Sequence, residues 1–353
     1  NFLKKLLGWL KNMVGIIRLW RVTFINMYGL IYESEIGFVR MPNKIVRNVS
    51  PGLDYTSRYT AGGRIAFSSN SRFITIKVIY DSLDMMYHMP LTGQAGFTLE
   101  EVKNNKENHI FTFVTSFNDE YGYDSSTRLF KTKKMRDYVL YFPLYNRVKT
   151  LELIIEDGSL IKPFNPYKDI KPILYYGSSI THGGCASRPD NSYQSMITKD
   201  LRIDHINLGF SGNAKGEDLM GEYISNIDCS CFVYDYDHNA PDENHLKETH
   251  EKLFLKFRNT HPTTPVIMLS APNYYTDKKV YEPRRQVVEQ TYKNALARGD
   301  KNVYFIDGRY IYPAKIREFC TVDGAHPNDL GFYQFYLKIS KVLKKLIKNG
   351  DIR

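Results

Sequence analysis

The strongest constraint on the fold lies in the second half of the chain, where short apolar runs alternate with segments of helical spacing. The runs are Ile173–Tyr176, Asp204–Leu208, Cys229–Asp235, Pro265–Ser270 and Asn302–Asp307. The segments in which apolar residues recur every three or four positions are Tyr193–Leu201, Glu217–Asn226, His245–Phe257, Arg284–Ala297 and a final Leu330–Lys348. Strands that alternate with helices indicate a parallel sheet with helices on both faces. We therefore predict a three-layer α/β/α domain around a five-stranded parallel sheet.

The first half of the chain has a different pattern. Between about residues 20 and 160 the apolar residues mostly alternate with polar ones, as in Arg72–Ile79 and Val148–Ile154, and turn-forming residues separate the runs. Short strands at such spacing predict an all-β sandwich. The proline-containing stretch Lys162–Tyr167 then marks a boundary, because proline is poorly tolerated in helices and central strands. We predict a leader over 1–20, a β-sandwich domain over 21–165 and the α/β domain over 166–353.

The net charge of +10 is confined to the two ends of the chain. Residues 1–32 contain five basic and no acidic residues, residues 338–353 contain six basic residues and one acid, and the rest is neutral. A groove that follows a phosphate backbone needs clustered cations within the fold. The sequence therefore predicts no nucleic-acid partner.

The N-terminal residues are apolar and basic. The longest uncharged run, Asn12–Ile17, is too short for a membrane span, and Leu6–Leu10 is too short for the core of a signal peptide. Two interpretations remain: a basic amphipathic helix lying on a membrane surface, and a leader that flanks the first domain. The second is preferred.

The four cysteines are too few and too scattered for a disulfide framework, and no metal-ligand spacing accompanies them. We interpret them as buried free thiols and predict no metal site; they are Cys185, Cys229, Cys231 and Cys320. With neither a clear signal peptide nor a disulfide framework, the sequence slightly favours a cytoplasmic location.

Residues that can carry out chemistry follow several of the predicted strands. Ser179 follows the first strand, the segments 209–213 and 237–240 follow the second and third, and Asp323 and His326 follow the fifth. Residues just past the ends of parallel strands converge on one edge of the sheet. An aspartate three residues before a histidine can hold the Nδ1–H of its ring, which leaves the other nitrogen to accept a serine proton. With a glycine amide and an asparagine side chain nearby, this set predicts acyl transfer through a serine.

With these residues the chain resembles the SGNH, or GDSL-like, hydrolases, and in particular the two-domain members that have an N-terminal, jelly-roll-like β-sandwich. The four motif blocks of that family match Gly177–Ile180, Asn207–Asn213, Asp237–Asn239 and Asp323–Pro327. The resemblance implies a catalytic triad of Ser179, His326 and Asp323. It also implies an oxyanion hole formed by the amides of Ser179 and Gly212 and the side chain of Asn239. This chemistry requires no metal and no organic cofactor.

Two positions depart from the family pattern. Ser178 stands where the aspartate beside the nucleophile usually is, at a position that is not itself catalytic. The Gly-x-Asp-Leu-Tyr signature of the accessory domain reads Gly96–Glu100 here, with neither its aspartate nor its tyrosine. If that aspartate and tyrosine contact substrate in the family, this contact does not carry over to this chain, whereas the fold assignment is unaffected.

Other polar residues near the motifs have competing interpretations. His182 lies three residues after the expected nucleophile and either lines the acyl pocket, as a substrate-binding residue, or is a solvated loop histidine. Asp235 and Asp237 are interpreted as solvated acids at the end of a strand, and His245 and His250 are given no role.

These observations predict a serine esterase that acts on small acyl esters. An acetyl group on a carbohydrate is the substrate that the resemblance suggests, by analogy alone. The alternatives are a carbohydrate-binding protein with a vestigial hydrolase domain, and a lipase or acyltransferase that uses the same residues. The sequence does not separate hydrolysis from acyl transfer, and it leaves the oligomeric state open.

Overall fold

The structure is a computed structural model that describes residues 18–21, 25–116, 118 and 121–353. Most of the predicted leader therefore lies outside the described residues. Its last residues, 18–20, belong to a β-strand that pairs with a later strand of the N-terminal half.

In the described part of the N-terminal half, antiparallel strands form two larger sheets and a two-stranded hairpin. The strands are β1 (Arg18–Arg21), β2 (Asn26–Tyr28), β3 (Ile31–Glu33), β4 (Gly37–Val39), β5 (Arg64–Ser69), β6 (Ile74–Tyr80), β7 (Phe97–Lys103), β8 (Lys106–Phe113), β9 (Gly122–Ser126), β10 (Arg136–Tyr141), β11 (Val148–Ile155) and β12 (Ile161–Pro163). One sheet has the order β1-β11-β6-β9, and the other has the order β12-β5-β10-β7-β8 with β2 also paired to β5. Short helices α1 (Asn43–Val46), α2 (Pro51–Ser57) and α3 (Leu91–Gln94) and the β3–β4 hairpin connect them.

The alternating pattern of these strands explains why the two sheets pack face to face. Ile76 and Val78 of β6 and Leu151 and Leu153 of β11 point inward, and the residues between them point toward solvent. The buried side chains of both sheets form one apolar core, as expected for a sandwich. The predicted N-terminal β-sandwich is confirmed.

The second half folds as predicted into a parallel sheet with helices on both faces. Its strands are β13 (Ile173–Gly177), β14 (His205–Gly209), β15 (Cys231–Asp235), β16 (Val266–Leu269) and β17 (Val303–Ile306). Its helices are α4 (Ser179–His182), α5 (Tyr193–Leu201), α6 (Asp218–Ser225), α7 (Glu243–Thr260), α8 (Lys278–Ala297) and α9 (Asp329–Asn349). The strand order within residues 166–353, all of which are described, is β14-β13-β15-β16-β17.

Successive residues of each strand face opposite helical layers. Tyr175 of β13 packs in the cluster that includes Phe335 and Ile339 of α9, whereas the neighbouring Tyr176 packs with Leu246 and Phe254 of α7. Because both faces are buried, the strands read as continuous apolar runs rather than as alternating ones.

The strand order also determines where a site can form. The chain leaves β13 for β14 on one side and returns to β15 on the other, so the connections diverge at this point of the sheet. In open α/β sheets a crevice forms at such a point, outside the carboxyl ends of the strands. The loops after β13, β14 and β15 therefore surround one crevice.

One helix is longer than predicted. Helix α8 begins at Lys278 rather than at Arg284, because the Asp277 side chain caps the free N–H groups of Lys279 and Val280. Pro283 lies inside the helix.

The four cysteines are buried and free, as interpreted from their spacing. In the described part of the chain, no helix combines the length and the apolar character that a membrane crossing needs.

Candidate active site

The turn that presents Ser179 is formed where β13 meets α4. The Ser178 side chain accepts a hydrogen bond from the Ile180 N–H at 3.2 Å and thereby caps the short helix. The Ser178 N–H in turn donates to Asp235 Oδ1 at 3.3 Å. A Cβ atom on Gly177 would lie 1.7 Å from the same carboxylate oxygen. Any larger residue at the end of this strand would therefore displace the Asp235 carboxylate. Ser179 lies two residues later, half-buried, at the start of the helix.

A continuous chain of hydrogen bonds joins Ser179, His326 and Asp323. Ser179 Oγ lies 2.9 Å from His326 Nε2, and His326 Nδ1 lies 2.7 Å from Asp323 Oδ2. Because a carboxylate only accepts, the ring carries its proton on Nδ1, and Nε2 is free to accept the Ser179 hydroxyl proton.

The environment of Asp323 keeps this carboxyl group ionised. Partial burial alone would raise its pKa, but hydrogen bonds from the His326 backbone and ring and from the Ala325 N–H lower the pKa to about 2. The two backbone N–H groups lie 2.7 Å and 2.9 Å from Asp323 Oδ1. Asp323 Oδ1 thus holds the backbone of the loop to which it belongs, and Asp323 Oδ2 orients the His326 ring.

The loops after β14 and β15 place hydrogen-bond donors at the same edge of the sheet. Gly212 has a φ of +69°, a left-handed conformation that suits glycine, and its Cα faces open space. In the described part of the chain, the N–H groups of Ser179 and Gly212 donate to no protein acceptor. The Asn239 side chain donates to the Phe210 carbonyl at 2.9 Å, which ties the two loops together and uses one of its two N–H groups.

His182 does not face the crevice in this structure. The ring is fully buried and stacks on Tyr145 with their centroids 3.9 Å apart. Its Nε2–H donates to the Leu144 carbonyl at 2.9 Å, so Nδ1 accepts from the Ser211 N–H at 3.4 Å. Burial, together with the nearby Arg40, lowers the pKa of His182 well below its usual value. Neither interpretation from the sequence describes this residue: it is a neutral internal histidine that holds the loop preceding Gly212.

Arg40 of the β-domain is a second support of this loop, and no local motif in the sequence indicates this role. Its Nη1 donates to the carbonyls of Gly209 at 2.5 Å and Asn207 at 3.2 Å, and its Nε donates to Tyr59 O at 2.8 Å. The guanidinium also lies 4.7 Å from the centroid of the Phe210 ring. Complete burial lowers the pKa of Arg40 to about 9. The β-domain thus fixes the backbone from which the glycine loop begins.

The interpretation of Asp235 and Asp237 as solvated acids is wrong. Both side chains are buried, because they turn inward at the end of β15 and take up hydrogen bonds that would otherwise be unsatisfied. Asp235 accepts from the Thr181 hydroxyl as well as from Ser178, and burial raises its pKa to about 8. Asp237 accepts from the Ala271 N–H at 2.7 Å, and burial raises its pKa to about 6.

Two further β-domain residues stand beside the hydrogen-bonded chain of Ser179, His326 and Asp323. The Tyr145 hydroxyl donates to the Ser179 carbonyl at 3.3 Å, and the ring of His88 lies 5.3 Å from that of His326, measured between centroids. The accessory domain therefore forms part of the wall around Ser179. Sequence reasoning did not single out either residue, since neither belongs to a local motif.

The altered signature Gly96–Glu100 lies at the contact between the two domains. Glu100 is buried, and its Oε1 lies 3.3 Å from Lys199 Nζ, which also pairs with Asp190 at 2.6 Å. Burial raises the pKa of Glu100 to about 8. Glu100 thus pairs with a lysine of α5 in the domain contact.

The fold and site define a two-domain α/β/α protein with a Ser–His–Asp hydrogen-bond chain at the carboxyl edge of its parallel sheet. Residues 170–344 match the GDSL-like lipase/acylhydrolase family. Residues 22–161 match the family described as the N-terminus of SGNH-hydrolase-type esterases. The chain belongs to the SGNH, or GDSL-like, hydrolase family, in the subgroup with an N-terminal β-domain.

Solved structures show the same two-domain architecture. A protein of Bacteroides ovatus described as a GDSL-like lipase is 25% identical, with a TM-score of 0.86 over 96% of this chain and 99% of its own. The salicylyl-acyltransferase SsfX3 of a tetracycline biosynthetic pathway is 16% identical, with a TM-score of 0.76 over 94% of this chain and 97% of its own. The acetyl xylan esterase Est2A of Butyrivibrio proteoclasticus is 11% identical, with a TM-score of 0.58 over 96% of this chain and all of its own. The last two likenesses concern the fold alone. A comparison with curated proteins gave no match.

Proposed function

We propose that this protein is a serine esterase that hydrolyses small acyl esters through an acyl-Ser179 intermediate. The observation that carries the proposal is the hydrogen-bond chain from Asp323 through His326 to Ser179 Oγ. Family membership supports an ester-directed hydrolase chemistry. The proposal assigns a separate role to each residue of the chain.

In the acylation step, Ser179 Oγ attacks the carbonyl carbon of the ester while His326 Nε2 accepts the hydroxyl proton. The carbonyl π electrons move to oxygen and form a tetrahedral oxyanion. Asp323 stabilises the imidazolium through the Nδ1 hydrogen bond without taking its proton. The bond to the alcohol oxygen then breaks, and His326 returns the proton to this leaving group.

In the deacylation step, water enters where the alcohol left. His326 removes a proton from the water, whose oxygen attacks the acyl carbon, and Ser179 leaves with the proton that His326 returns. An alcohol acceptor that replaced water would give transfer instead of hydrolysis, with the same residues in the same roles.

The oxyanion has three candidate donors. The N–H groups of Ser179 and Gly212 have no competing protein acceptor in the described part of the chain, and the Asn239 amide has one N–H that is not used by Phe210. Donors fixed before the reaction need no reorganisation when the negative charge develops, which is why they lower the barrier.

The Asn239→Ala variant tests the side-chain donor. We expect kcat for p-nitrophenyl acetate to fall by roughly 10²–10³-fold, the usual effect of losing one oxyanion donor, with a much smaller change in KM. Initial rates over a range of ester concentrations measure both constants. Asn226→Ala is a matched control, because Asn226 also donates to a backbone carbonyl, at 2.7 Å from Glu222 O, on the exposed end of a helix. Equal kcat values in the Asn239→Ala and control variants would exclude the donor role.

The substrate that we propose is an acetyl ester of a saccharide. Beside Asp323 lies a cavity of about 640 Å³ whose lining combines an aromatic ring, Tyr275, with polar side chains that include Asn273 and Arg317. The Arg317 guanidinium lies over the Tyr275 ring, with its Cζ atom 3.5 Å from the ring centroid. Such a surface suits the alcohol part of a saccharide ester, whose ring has apolar faces and polar edges. A carbohydrate esterase of Clostridium thermocellum solved with cellohexaose has a related fold, at 13% identity and a TM-score of 0.60.

Two measurements test this substrate class. Activity on p-nitrophenyl esters should fall from acetate to octanoate, and the opposite trend would favour a lipase. A panel of acetylated oligosaccharides, followed by mass spectrometry, should then show loss of acetyl groups with the unaltered protein and none with Ser179→Ala. Acetyl groups that reappear on an added acceptor would identify a transferase, and turnover of none of the panel would reject the saccharide assignment.

A further inference from the structure

Three side chains with metal-binding atoms meet at the mouth of the crevice. They come from three segments: His88 from the β-domain loop before α3, Cys185 from the loop after α4, and His326 from the loop before α9. One ligating atom from each residue lies within 4.8 Å of the other two. None of them is close to another in the sequence, so the cluster has no recognisable motif.

Two of the three residues have a metal-binding atom without a hydrogen-bond partner in the described part of the chain. His88 Nδ1 is shielded from solvent and has no partner in the described part of the chain. The Cys185 thiol is free and only 3% exposed. Its backbone N–H donates to Pro327 O at 3.0 Å, which anchors this cysteine against the residue that follows His326. A shielded polar atom without a partner calls for an explanation, and a bound ion is one such explanation.

The His326 ring has a nitrogen, Nε2, whose lone pair can bind a metal. Its Nδ1–H is held by Asp323 at 2.7 Å, so Nε2 carries the lone pair. Ligating histidines commonly donate their other ring N–H to a carboxylate in this way, which fixes the tautomer and raises the basicity of the ligand. The same hydrogen bond therefore prepares Nε2 to accept a proton from Ser179 or to bind a cation.

We propose that His88, Cys185 and His326 bind Zn²⁺, and that this binding reversibly inhibits the esterase. The inhibition rests on the proposed function, since zinc would take the His326 lone pair that otherwise accepts the Ser179 proton. Two imidazoles and one thiolate are a set that zinc prefers, with water at the fourth position.

The geometry requires a modest closure. Zn–N and Zn–S bonds of about 2.0–2.3 Å place tetrahedral ligands roughly 3.4–3.7 Å apart, so atoms that now lie within 4.8 Å must approach each other by about 1 Å. His88 lies on a loop and its neighbour Tyr87 is fully exposed, so this side of the cluster is free to adjust.

Binding also releases a proton. Burial, with a contribution from Asp323, raises the pKa of the Cys185 thiol to about 12. Coordination replaces the S–H bond with a Zn–S bond and sends one proton to solvent.

The first test uses Co²⁺ on the unaltered protein. Cobalt takes the place of zinc at sites of this kind, and coordination by a thiolate gives a sulfur-to-cobalt charge-transfer band in the near ultraviolet. The band should appear at one equivalent of Co²⁺ and disappear when Zn²⁺ is added. This measurement needs neither ester turnover nor a variant that folds. If the protein became saturated with Co²⁺ and showed no such band, the proposed site would be wrong.

The second test compares variants in Zn²⁺ affinity, measured by competition with a chromogenic chelator. Losing a residue that only orients a ligand costs about 10–100-fold in metal affinity, so His88→Gln and Cys185→Ser should each cost at least about 100-fold. His109→Gln and Cys229→Ser are matched controls, since His109 lies on strand β8 and Cys229 lies just before β15, outside the cluster. Equal zinc affinity in all of these proteins would overturn the site.

The third test concerns inhibition. Each protein's rate on p-nitrophenyl acetate with excess chelator serves as its own reference. Micromolar Zn²⁺ should inhibit the unaltered protein and the two controls, and chelator should restore the rate, whereas His88→Gln and Cys185→Ser should need at least about 100-fold more metal. Zinc binding with no loss of activity would overturn the inhibitory role and leave the esterase assignment intact. A protein that binds zinc at the cluster but hydrolyses no ester would instead reject the proposed function.

Discussion

Replacing Ser179 with alanine is expected to lower kcat for p-nitrophenyl acetate by roughly 10⁴–10⁶-fold, to a residual rate that comes from substrate binding and the oxyanion donors alone. The reason is that the acyl group then has no oxygen to which it can be transferred, while His326 and Asp323 remain in place. Steady-state and single-turnover kinetics measure the loss. Because Ser179 is half-buried at the start of a short helix, the substitution should leave the thermal unfolding curve almost unchanged.

The neighbouring Ser178 provides a matched control for this prediction. Its hydroxyl caps Ile180 and is buried, so it does not face the substrate. Ser178→Ala should lose about 1 kcal/mol of stability with the cap and keep most of its turnover. An Ser179→Ala protein that hydrolyses the ester at the unaltered rate would reject the nucleophile assignment.

The Asp323→Asn variant is expected to lower kcat by about 10⁴-fold while the fold remains intact. The asparagine oxygen can still accept the N–H groups of Ala325 and His326, so the loop keeps its shape. The new amide, however, donates toward His326 Nδ1 and favours the tautomer that carries its proton on Nε2. That tautomer cannot accept a proton from Ser179, and the imidazolium loses its ionised partner.

Kinetics and circular dichroism on the same preparation separate catalysis from folding in this variant. Asp277→Asn is the matched control: Asp277 also accepts backbone N–H groups, at the start of α8, and asparagine can cap a helix equally well. Activity of Asp323→Asn within tenfold of that control would mean that Asp323 does not orient the base.

Most of the α/β fold could be predicted because its determinants are local. Each buried strand of the second half is a short apolar run, and each helix has its own periodic stripe. The Asp323–His326 spacing and the glycine turn at Ser179 are local as well, so the residues that the structure brings together could be named from the sequence. Their common edge followed from the rule that parallel strands end on the same side of the sheet.

The supports of the site could not be predicted, because they depend on contacts between distant parts of the chain. Arg40 contacts Gly209 across 169 positions, and His182 contacts Leu144 of the other domain. Nothing in the sequence around Arg40 or Leu144 indicates which loop will pack against it. Asp235 was misread for the same reason: a polar residue at a strand end looks solvated until the turn that it holds is in place.

These contacts change the interpretation of the β-domain. It is joined to the α/β half through the ion pair of the buried Arg64 with the half-buried Asp204, 2.8 Å apart, and through Arg40 at the glycine loop. Its side chains also stand beside Ser179 and His326. The accessory domain is therefore part of the framework that positions the candidate site, and not only an attached module.

Labelling with a fluorophosphonate shows whether the Ser179 oxygen is a nucleophile that is activated by His326. The reagent forms a covalent bond only with a serine whose proton is removed by a positioned base, and peptide mass spectrometry locates the adduct. We expect a single adduct on Ser179, much slower labelling of Asp323→Asn, and none in Ser179→Ala. An adduct on a different residue, or ester hydrolysis that continues while Ser179 stays unlabelled, would mean that Ser179 is not the nucleophile.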